Sequence, residues 1–349
     1  VVSTVEQFEL DFFGYTLRNQ EPLKVGLDQN VVNVERIQLV GEGTALDLIG
    51  EVDLADERIA VRADGNVDLV LLQDFFSEVR GSGTARLVAE IGGTLQQPLI
   101  TGEASVDGGR IRHLLFPHGL ENIAGRIVFE PDGVRFDELM GELGNGLVQF
   151  GGRVGLQGYA VDELNVSATG TEMRLRFPES VRSLVNAELM IGGGIEDPVL
   201  SGTVSVQDAV LLNFFEPSTG ILDFTSSEQT IVPTPVESTF PLRFDVRIIA
   251  PSSLRISDNT ARVVSSAEFT LGGTYDQPLV FGNAEIERGE VFFEGNRYRV
   301  TRGNIGFANP TAIEPFFDIE AETDVRAPGQ TYRVTLGLVG TIERLDFKL

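Results

Sequence analysis

The chain has 349 residues with 52 acidic and 27 basic side chains, which gives a net charge of −25 at neutral pH. Binding to nucleic acid or broadly to an anionic bilayer requires clustered Lys and Arg, so this charge argues against both. The chain has no cysteine, which excludes disulfides, thiolate chemistry and cysteine metal sites. An apolar fraction of 42% beside this charge predicts a folded protein with one apolar and one acidic face, and 39 glycines favour turns and bulges over helices.

The chain begins at Val1 without a methionine, and it ends within a strand-like pattern. It contains no run of 18 or more apolar residues and no signal-peptide pattern at its start. We therefore expect a fragment of a longer protein, with any signal or membrane anchor outside it.

Three copies of one segment recur along the chain, with Gly-Gly, Pro and Gly at identical offsets. They lie at 91–102, 191–202 and 271–282, and a degenerate fourth copy without the proline begins at Gly340. Because proline cannot donate to a strand ladder and Gly-Gly favours a turn, each copy predicts strand, turn, strand. The spacing between copies changes by about the length of one hairpin, which an open-ended array tolerates.

These copies predict a continuous array of four segments. The segments are 1–90, 91–190, 191–270 and a truncated carboxy-terminal segment 271–349. Within the third segment, 216–239 is rich in Pro, Ser and Thr and interrupts the strand pattern. We expect this stretch to be an exposed, mobile excursion.

Two stretches have apolar residues at helical spacing. The first is 67–79, where Leu69, Leu72, Phe76 and Val79 share a face. The second is 178–185, which starts with a proline suited to a first helical turn. We predict one or two short helices that plug an end or cover an edge of the sheet.

Strict alternation of apolar and polar residues dominates the rest of the chain, most clearly at 242–248, 317–325 and 332–338. This period of two predicts strands with one buried face. We expect roughly 25 to 30 strands at about ten residues each. An ordinary open sheet does not hold so many. The predicted fold is therefore all-β, a long, curled, repetitive and mostly antiparallel sheet.

No catalytic, metal or cofactor site is predicted. The two histidines, His113 and His118, are too few for a zinc site and follow no nucleophile motif. Acidic pairs such as Asp162 and Glu163 are typical of solvated turns in a chain with this many carboxylates. We therefore expect a protein that is not an enzyme.

The apolar stripes leave two interpretations open. They form either the core of a closed sandwich, barrel or solenoid, or the lining of a groove occupied by an apolar ligand. Open apolar surface is unfavourable by ~25 cal/mol per Å², so a groove would need a resident ligand. Periodicity alone does not separate the two.

A family resemblance bears on this choice. Residues 289–307 have the sequence GEVFFEGNRYRVTRGNIGF, and residues 315–321 have the sequence PFFDIEA. The first resembles the succession of Gly-x-Val-x-Phe, Gly-x-x-Tyr and Gly-x-Ile-x-Phe strands in the carboxy-terminal domain of the TamB family, and the second is similar to its Pro-x-x-x-Ile-x-Ala segment. TamB is the inner-membrane-anchored subunit of the bacterial translocation and assembly module. The resemblance is clearest over 240–349 and weaker, AsmA-like, over the rest.

The resemblance implies a β-taco, a curled sheet with an open apolar groove, in a periplasmic protein that bridges the inner and outer membranes. It implies phospholipid acyl chains as cargo, a barrel partner of the TamA/BamA type, and membrane contact through regions outside this chain. The residues we expect to line such a groove are Leu242, Phe244, Val246, Ile248, Phe269, Leu271, Tyr298, Val300, Phe317, Ile319, Ala321, Val334, Leu336 and Leu338. The alternatives are a scaffold or chaperone for outer-membrane protein insertion, which would offer a sheet edge to client strands, and a structural β-solenoid.

Overall fold

A computed structural model describes residues 2–12, 15–75, 78–94, 96–114, 116–158, 160–177, 180–211, 241–257, 260–293, 295–341 and 344–348. These residues contain 23 strands in one open, mixed sheet and a single short helical segment. The all-β prediction is confirmed. Many of the described strands are longer than the predicted ten residues, and the longest have 16.

The chain divides into two compact units. The first comprises Val1–Ala168 with Gly193–Ile195, and the second comprises Thr169–Gly192 with Glu196–Leu349. The division into four repeat segments stays a prediction.

The first unit holds most of the shorter strands. They are β1 (Val2–Val5), β2 (Glu9–Phe12), β3 (Tyr15–Asn19), β4 (Leu23–Asp28), β5 (Val31–Gly41), β6 (Thr44–Asp53), β7 (Arg58–Asp68), β8 (Val79–Ser82), β9 (Thr84–Gly93), β10 (Pro98–His113), β11 (Leu120–Glu130), β12 (Gly133–Leu143), β13 (Gly146–Gln157) and most of β14 (Ala160–Leu175). From β9 to β13 each strand pairs antiparallel with the next. Its main buried cluster is centred on Leu39, whose exposed fraction is 0%.

The helical segment of the first unit is shorter than predicted. A 3₁₀ turn at Leu69–Leu71 is followed by α1 (Leu72–Phe75). The turn begins where the Asp68 carboxylate accepts a hydrogen bond from the Val70 N–H at 2.8 Å. Leu69 packs against a second buried cluster of this unit. A role in plugging an end or covering an edge of the sheet stays a prediction. Val79 belongs to β8, and Phe76 lies outside the described residues.

The second unit contains the remaining strands. They are β15 (Val181–Gly194), β16 (Val199–Leu211), β17 (Arg243–Ser257), β18 (Ala261–Gly273), β19 (Pro278–Phe293), β20 (Asn296–Phe307), β21 (Pro315–Ala327), β22 (Gln330–Thr341) and β23 (Arg344–Lys348). From β17 onwards each strand pairs antiparallel with the next. Among the described residues, nearly all close backbone contacts between strands are between strands that are paired in the sheet.

The helix predicted at 178–185 is wrong over its described part. Residues from Val181 onwards form β15, which pairs antiparallel with β16 from Val181 to Gly192. A single helical turn offers few hydrogen bonds for the residues it fixes. The twelve-residue ladder, together with β-branched Val181 and Val185, outweighs the helical spacing.

One strand pair of the second unit is parallel. β16 and β17 run side by side from Val199 with Arg243 to Leu211 with Ile256. A parallel pair needs a crossover of a dozen or more residues, and the chain between Leu211 and Arg243 supplies that length. The predicted excursion 216–239 falls in this interval, outside the described residues.

The predicted strand, turn, strand unit is confirmed in the repeats. In the first and third copies Gly93 pairs with Pro98 and Gly273 with Pro278 at the end of each hairpin. Thr274 N–H donates to the Gln277 carbonyl at 3.1 Å, and the same contact closes the first copy at 3.1 Å. The two copies therefore share one turn geometry.

The last glycine of each repeat has a structural reason. Gly102, Gly202 and Gly282 have φ values of +139°, +131° and +123°. A Cβ atom at these positions would lie 2.1 to 2.2 Å from a carbonyl oxygen of the neighbouring strand. Because L side chains rarely adopt this backbone conformation and the space is absent, only glycine fits.

A row of register shifts crosses the strands of the second unit at mid-length. Each shift is a β-bulge or irregularity, and a bulge bends its strand and increases the local twist. The shifts lie next to one another from strand to strand, so they bend this part of the sheet along one line. They fall at Leu184/Val185, Ser205/Ala209, Ala250/Leu254, Val264/Ser265 and Val300/Arg302.

Candidate groove face of the second unit

All fourteen residues predicted to line a groove lie in the second unit, and none is exposed. The buried ones are Leu242, Val246, Tyr298, Phe317, Ile319, Ala321, Leu336 and Leu338. The half-buried ones are Phe244, Ile248, Phe269, Leu271, Val300 and Val334.

Strand register places these residues on one face, which we call the apolar face. Directly paired residues of neighbouring strands point to the same side of a sheet. On β17 and β18, Val246 pairs with Leu271 and Ile248 pairs with Phe269. The two strands therefore contribute successive rungs to the same surface.

The same relation holds at the carboxy-terminal strands. Ala321 of β21 pairs with Val300 of β20 on one side and with Leu336 of β22 on the other. Ile319 pairs with Leu338 in the next rung. Residues from three strands thus form rungs across this part of the face.

β19 connects these two groups, although none of its residues is among the fourteen predicted to line a groove. Ala284 pairs with Ala267 of β18 and with Ile305 of β20, and Ile305 pairs with Phe317 of β21. Ala284 and Ile305 are both buried. Their period-two alternation was the signal that could have found them.

One repeat glycine sets the spacing of two aromatic rings on this face. Gly282 pairs with Phe269 on one side and with Phe307 on the other. Without a side chain between them, the two rings meet edge to face, with centroids 5.4 Å apart and an interplanar angle of 86°. This aromatic contact spans β18 to β20 and adds to their burial.

The apolar face changes from covered to open along β21 and β22. Phe317 and Leu336 have exposed fractions of 1% and 0%. At the far end of the same strands, Val325 pairs with Tyr332, and these side chains are 46% and 52% exposed. Apolar residues thus continue from a covered interior to a solvent-exposed rim.

The opposite face is charged and held by cross-strand ion pairs. Arg302 lies 3.1 Å from Asp318 and 3.3 Å from Glu320, and Arg247 lies 2.6 Å from Glu268. All five side chains are substantially exposed. The division into an apolar and a charged face agrees with the composition.

Polar chemistry is sparse among the described residues. Their buried polar side chains are Thr44, Ser253 and Ser265, and they form no group of three or more His, Asp or Glu that could hold a metal. Hydrogen bonds from the backbone N–H groups of Asp56 and Ala55 lower the pKa of Asp53, as in an exposed turn.

Two comparisons place these features in context. Residues 135–349, more than half of the chain and all of its second unit, match the family model described as the TamB C-terminal domain. A comparison with curated proteins gives no match. Over the described residues, no helix has the length and apolar character needed to cross a membrane.

Proposed function

Because the chain belongs to the TamB family, we propose that its apolar face carries phospholipid acyl chains between the inner and outer membranes of the cell envelope. Proteins of this family are non-catalytic transport and assembly proteins of the periplasm, associated in general with a TamA-type partner. Full-length anchoring in the inner membrane and support of outer-membrane biogenesis are part of the proposal.

One observation carries the proposal most directly, namely the apolar stripe that runs from covered to exposed positions on one face. Here the edge of the face carries Val325 and Tyr332, each about half exposed. An exposed apolar rim beside a covered apolar surface is typical of a site that binds an apolar ligand.

The repetition of the face suits movement along it. Successive strands carry similar apolar residues at a spacing of ~4.8 Å. An acyl chain gains ~0.8 kcal/mol for each methylene removed from water, and a shift by one strand exchanges nearly equal contacts. Binding is therefore favourable overall, while the binding free energy changes little from one strand to the next.

The fourteen predicted residues of the apolar face carry no charged group that would bind a lipid headgroup. The only polar side-chain group among these fourteen residues is the hydroxyl of Tyr298. Several ionised groups of the neighbouring strands pair with one another on the opposite face, as Arg247 does with Glu268. A headgroup therefore stays in water while the acyl chain lies against the face.

Adjacent residues of β22 provide a matched test. Val334 is half-buried on the apolar face, and Thr335 is exposed on the opposite face. Val334→Arg and Thr335→Arg add the same charge one residue apart. Arginine in an acyl environment is unfavourable by about 2.5 to 3.5 kcal/mol, so we expect Val334→Arg to lower acyl-chain occupancy roughly 100-fold. Thr335→Arg should leave it unchanged.

The assay is transfer of a fluorescent phospholipid between donor and acceptor vesicles by the purified chain, with circular dichroism as the check on folding. Equal transfer by two folded variants would rule out the apolar face as the path. If Val334→Arg does not fold, a photoreactive residue at position 334 or 335 replaces it. Crosslinks to lipid from 334 and not from 335 support the conduit, and crosslinks to client strands alone favour the scaffold role.

A further inference from the structure

The ladder between β19 and β20 has an opening. Glu285 pairs with Asn304, and the next pair is Glu290 with Arg299. The four residues between these pairs on each strand have no partner across this ladder. The opening lies in the row of register shifts, next to those at Val264/Ser265 and Val300/Arg302.

A cavity of about 570 Å³ lies at this opening. We call it the β19–β20 window. It is lined by three arginines, two glutamates and three uncharged residues, namely Arg262, Arg288, Arg299, Glu287, Glu290, Val264, Gly289 and Val300.

The window has residues from both faces of the sheet. Arg262 pairs with Glu290, which pairs with Arg299, so these three residues lie on the charged face. Val300 pairs with Ala321 and therefore lies on the apolar face. Val300 therefore brings one apolar side chain to a lining whose side chains are mainly charged.

The window collects positive charge in an acidic chain. Arg262, Arg288 and Arg299 are exposed, and none forms an ion pair with a carboxylate within the described ranges. The two carboxylates of the cavity are engaged elsewhere. Glu287 accepts a hydrogen bond from the Ser252 hydroxyl at 2.6 Å, and Glu290 lies 3.4 Å from Arg297.

We propose that the β19–β20 window binds a phosphate group, with Arg262, Arg288 and Arg299 as its ligands. The guanidinium group presents a planar fork of donors that matches phosphate oxygens in pairs. Three such groups line one cavity, and its two carboxylates, Glu287 and Glu290, have other partners. A net charge of −25 makes general attraction of anions unfavourable, so this binding depends on the local cluster.

A phospholipid headgroup and free phosphate share this chemistry. The headgroup source rests on the proposed function, because the conduit would bring phospholipid to the second unit. In that arrangement the window holds a headgroup at one position along the conduit. The proposal for the phosphate group itself stands on the arginine cluster alone.

The test measures binding by isothermal titration calorimetry with the purified chain. The probes are inorganic phosphate, short-chain phosphatidylglycerol below its micelle concentration, and the corresponding phosphatidylcholine. Replacement of one arginine by glutamine removes charge-assisted hydrogen bonds and should weaken binding about 10-fold. The triple variant R262Q/R288Q/R299Q should show no measurable binding.

Arg326→Gln is the matched control, since Arg326 is exposed on the charged side of β21 and its replacement changes the net charge equally. Unchanged binding by this control, with loss in the window variants, supports the proposal. Equal weakening by the control, or no binding of any probe by the native chain, overturns it. Binding of inorganic phosphate without phosphatidylglycerol supports the phosphate site and refutes the headgroup source.

The outcome is separable from that of the proposed function. Val334→Arg should retain binding of inorganic phosphate, because Val334 lies two strands away from the window. The window variants should retain acyl-chain crosslinks at position 334. If a chain with the native window binds phosphate but gives no lipid crosslinks from position 334, the conduit is contradicted and the window site stands.

Discussion

The repeat glycine Gly282 offers a sharp test of how the array is built. In Gly282→Ala the new Cβ would lie 2.2 Å from the carbonyl oxygen of Glu268 and 3.0 Å from Cα of Phe269. Strain at this backbone conformation costs about 1 to 3 kcal/mol. Separation of the strands also weakens a ladder hydrogen bond of about 1 kcal/mol and the Phe269–Phe307 contact of about 0.5 to 1.5 kcal/mol. We therefore expect a loss of about 3 to 5 kcal/mol in the free energy of unfolding.

Gly306 provides the control, because it lies on the adjacent strand and pairs with Asn283, the neighbour of Gly282. A Cβ at Gly306 would meet no atom within 4 Å. Gly306→Ala should change stability by less than about 1 kcal/mol, and reduced freedom of the unfolded chain could make the change favourable. Urea unfolding followed by far-ultraviolet circular dichroism measures both variants. Equal stability of the two would refute the steric explanation of the repeat glycine.

Two other contacts of this region give smaller effects. In a double-mutant cycle of Phe269→Ala and Phe307→Ala, urea unfolding should give a coupling energy of about 0.5 to 1.5 kcal/mol, since the rings touch across Gly282. A coupling near zero would mean that the contact adds nothing beyond burial. Arg302→Gln should lower stability by less than about 1 kcal/mol, because its ion pairs are exposed, and the difference should shrink as salt increases. A loss several times larger, or one insensitive to salt, would contradict this account.

The hairpins and the two faces of the sheet could be predicted because they depend on local sequence. Proline and glycine at fixed offsets define the turn, and alternation over a few residues defines which side chains share a face. The pairing of Ile319 with Leu338 follows from these local features once the connecting turn is short. The carboxy-terminal meander was therefore accessible from the sequence.

Features that depend on distant residues were not accessible. The parallel pairing of β16 with β17 joins strands separated by more than thirty residues, and no local pattern specifies its direction. The register shift at Ala250/Leu254 depends on how β18 aligns with β17. The same holds for β15, where the ladder with β16 overrode helical spacing at Val181 and Val185.

The apolar face shows why alternation alone could not distinguish a closed core from a lipid conduit. Phe317 and Val325 occupy equivalent positions in the period-two pattern of one strand, yet their exposed fractions are 1% and 46%. Alternation specifies which face a side chain joins, whereas exposure depends on how strongly the sheet bends and on what lies opposite. The bend follows a row of bulges that the pattern of apolar residues does not encode. A lipid conduit needs both properties, a continuous apolar face and an end open to solvent, and the strands β21 and β22 combine them within a single hairpin.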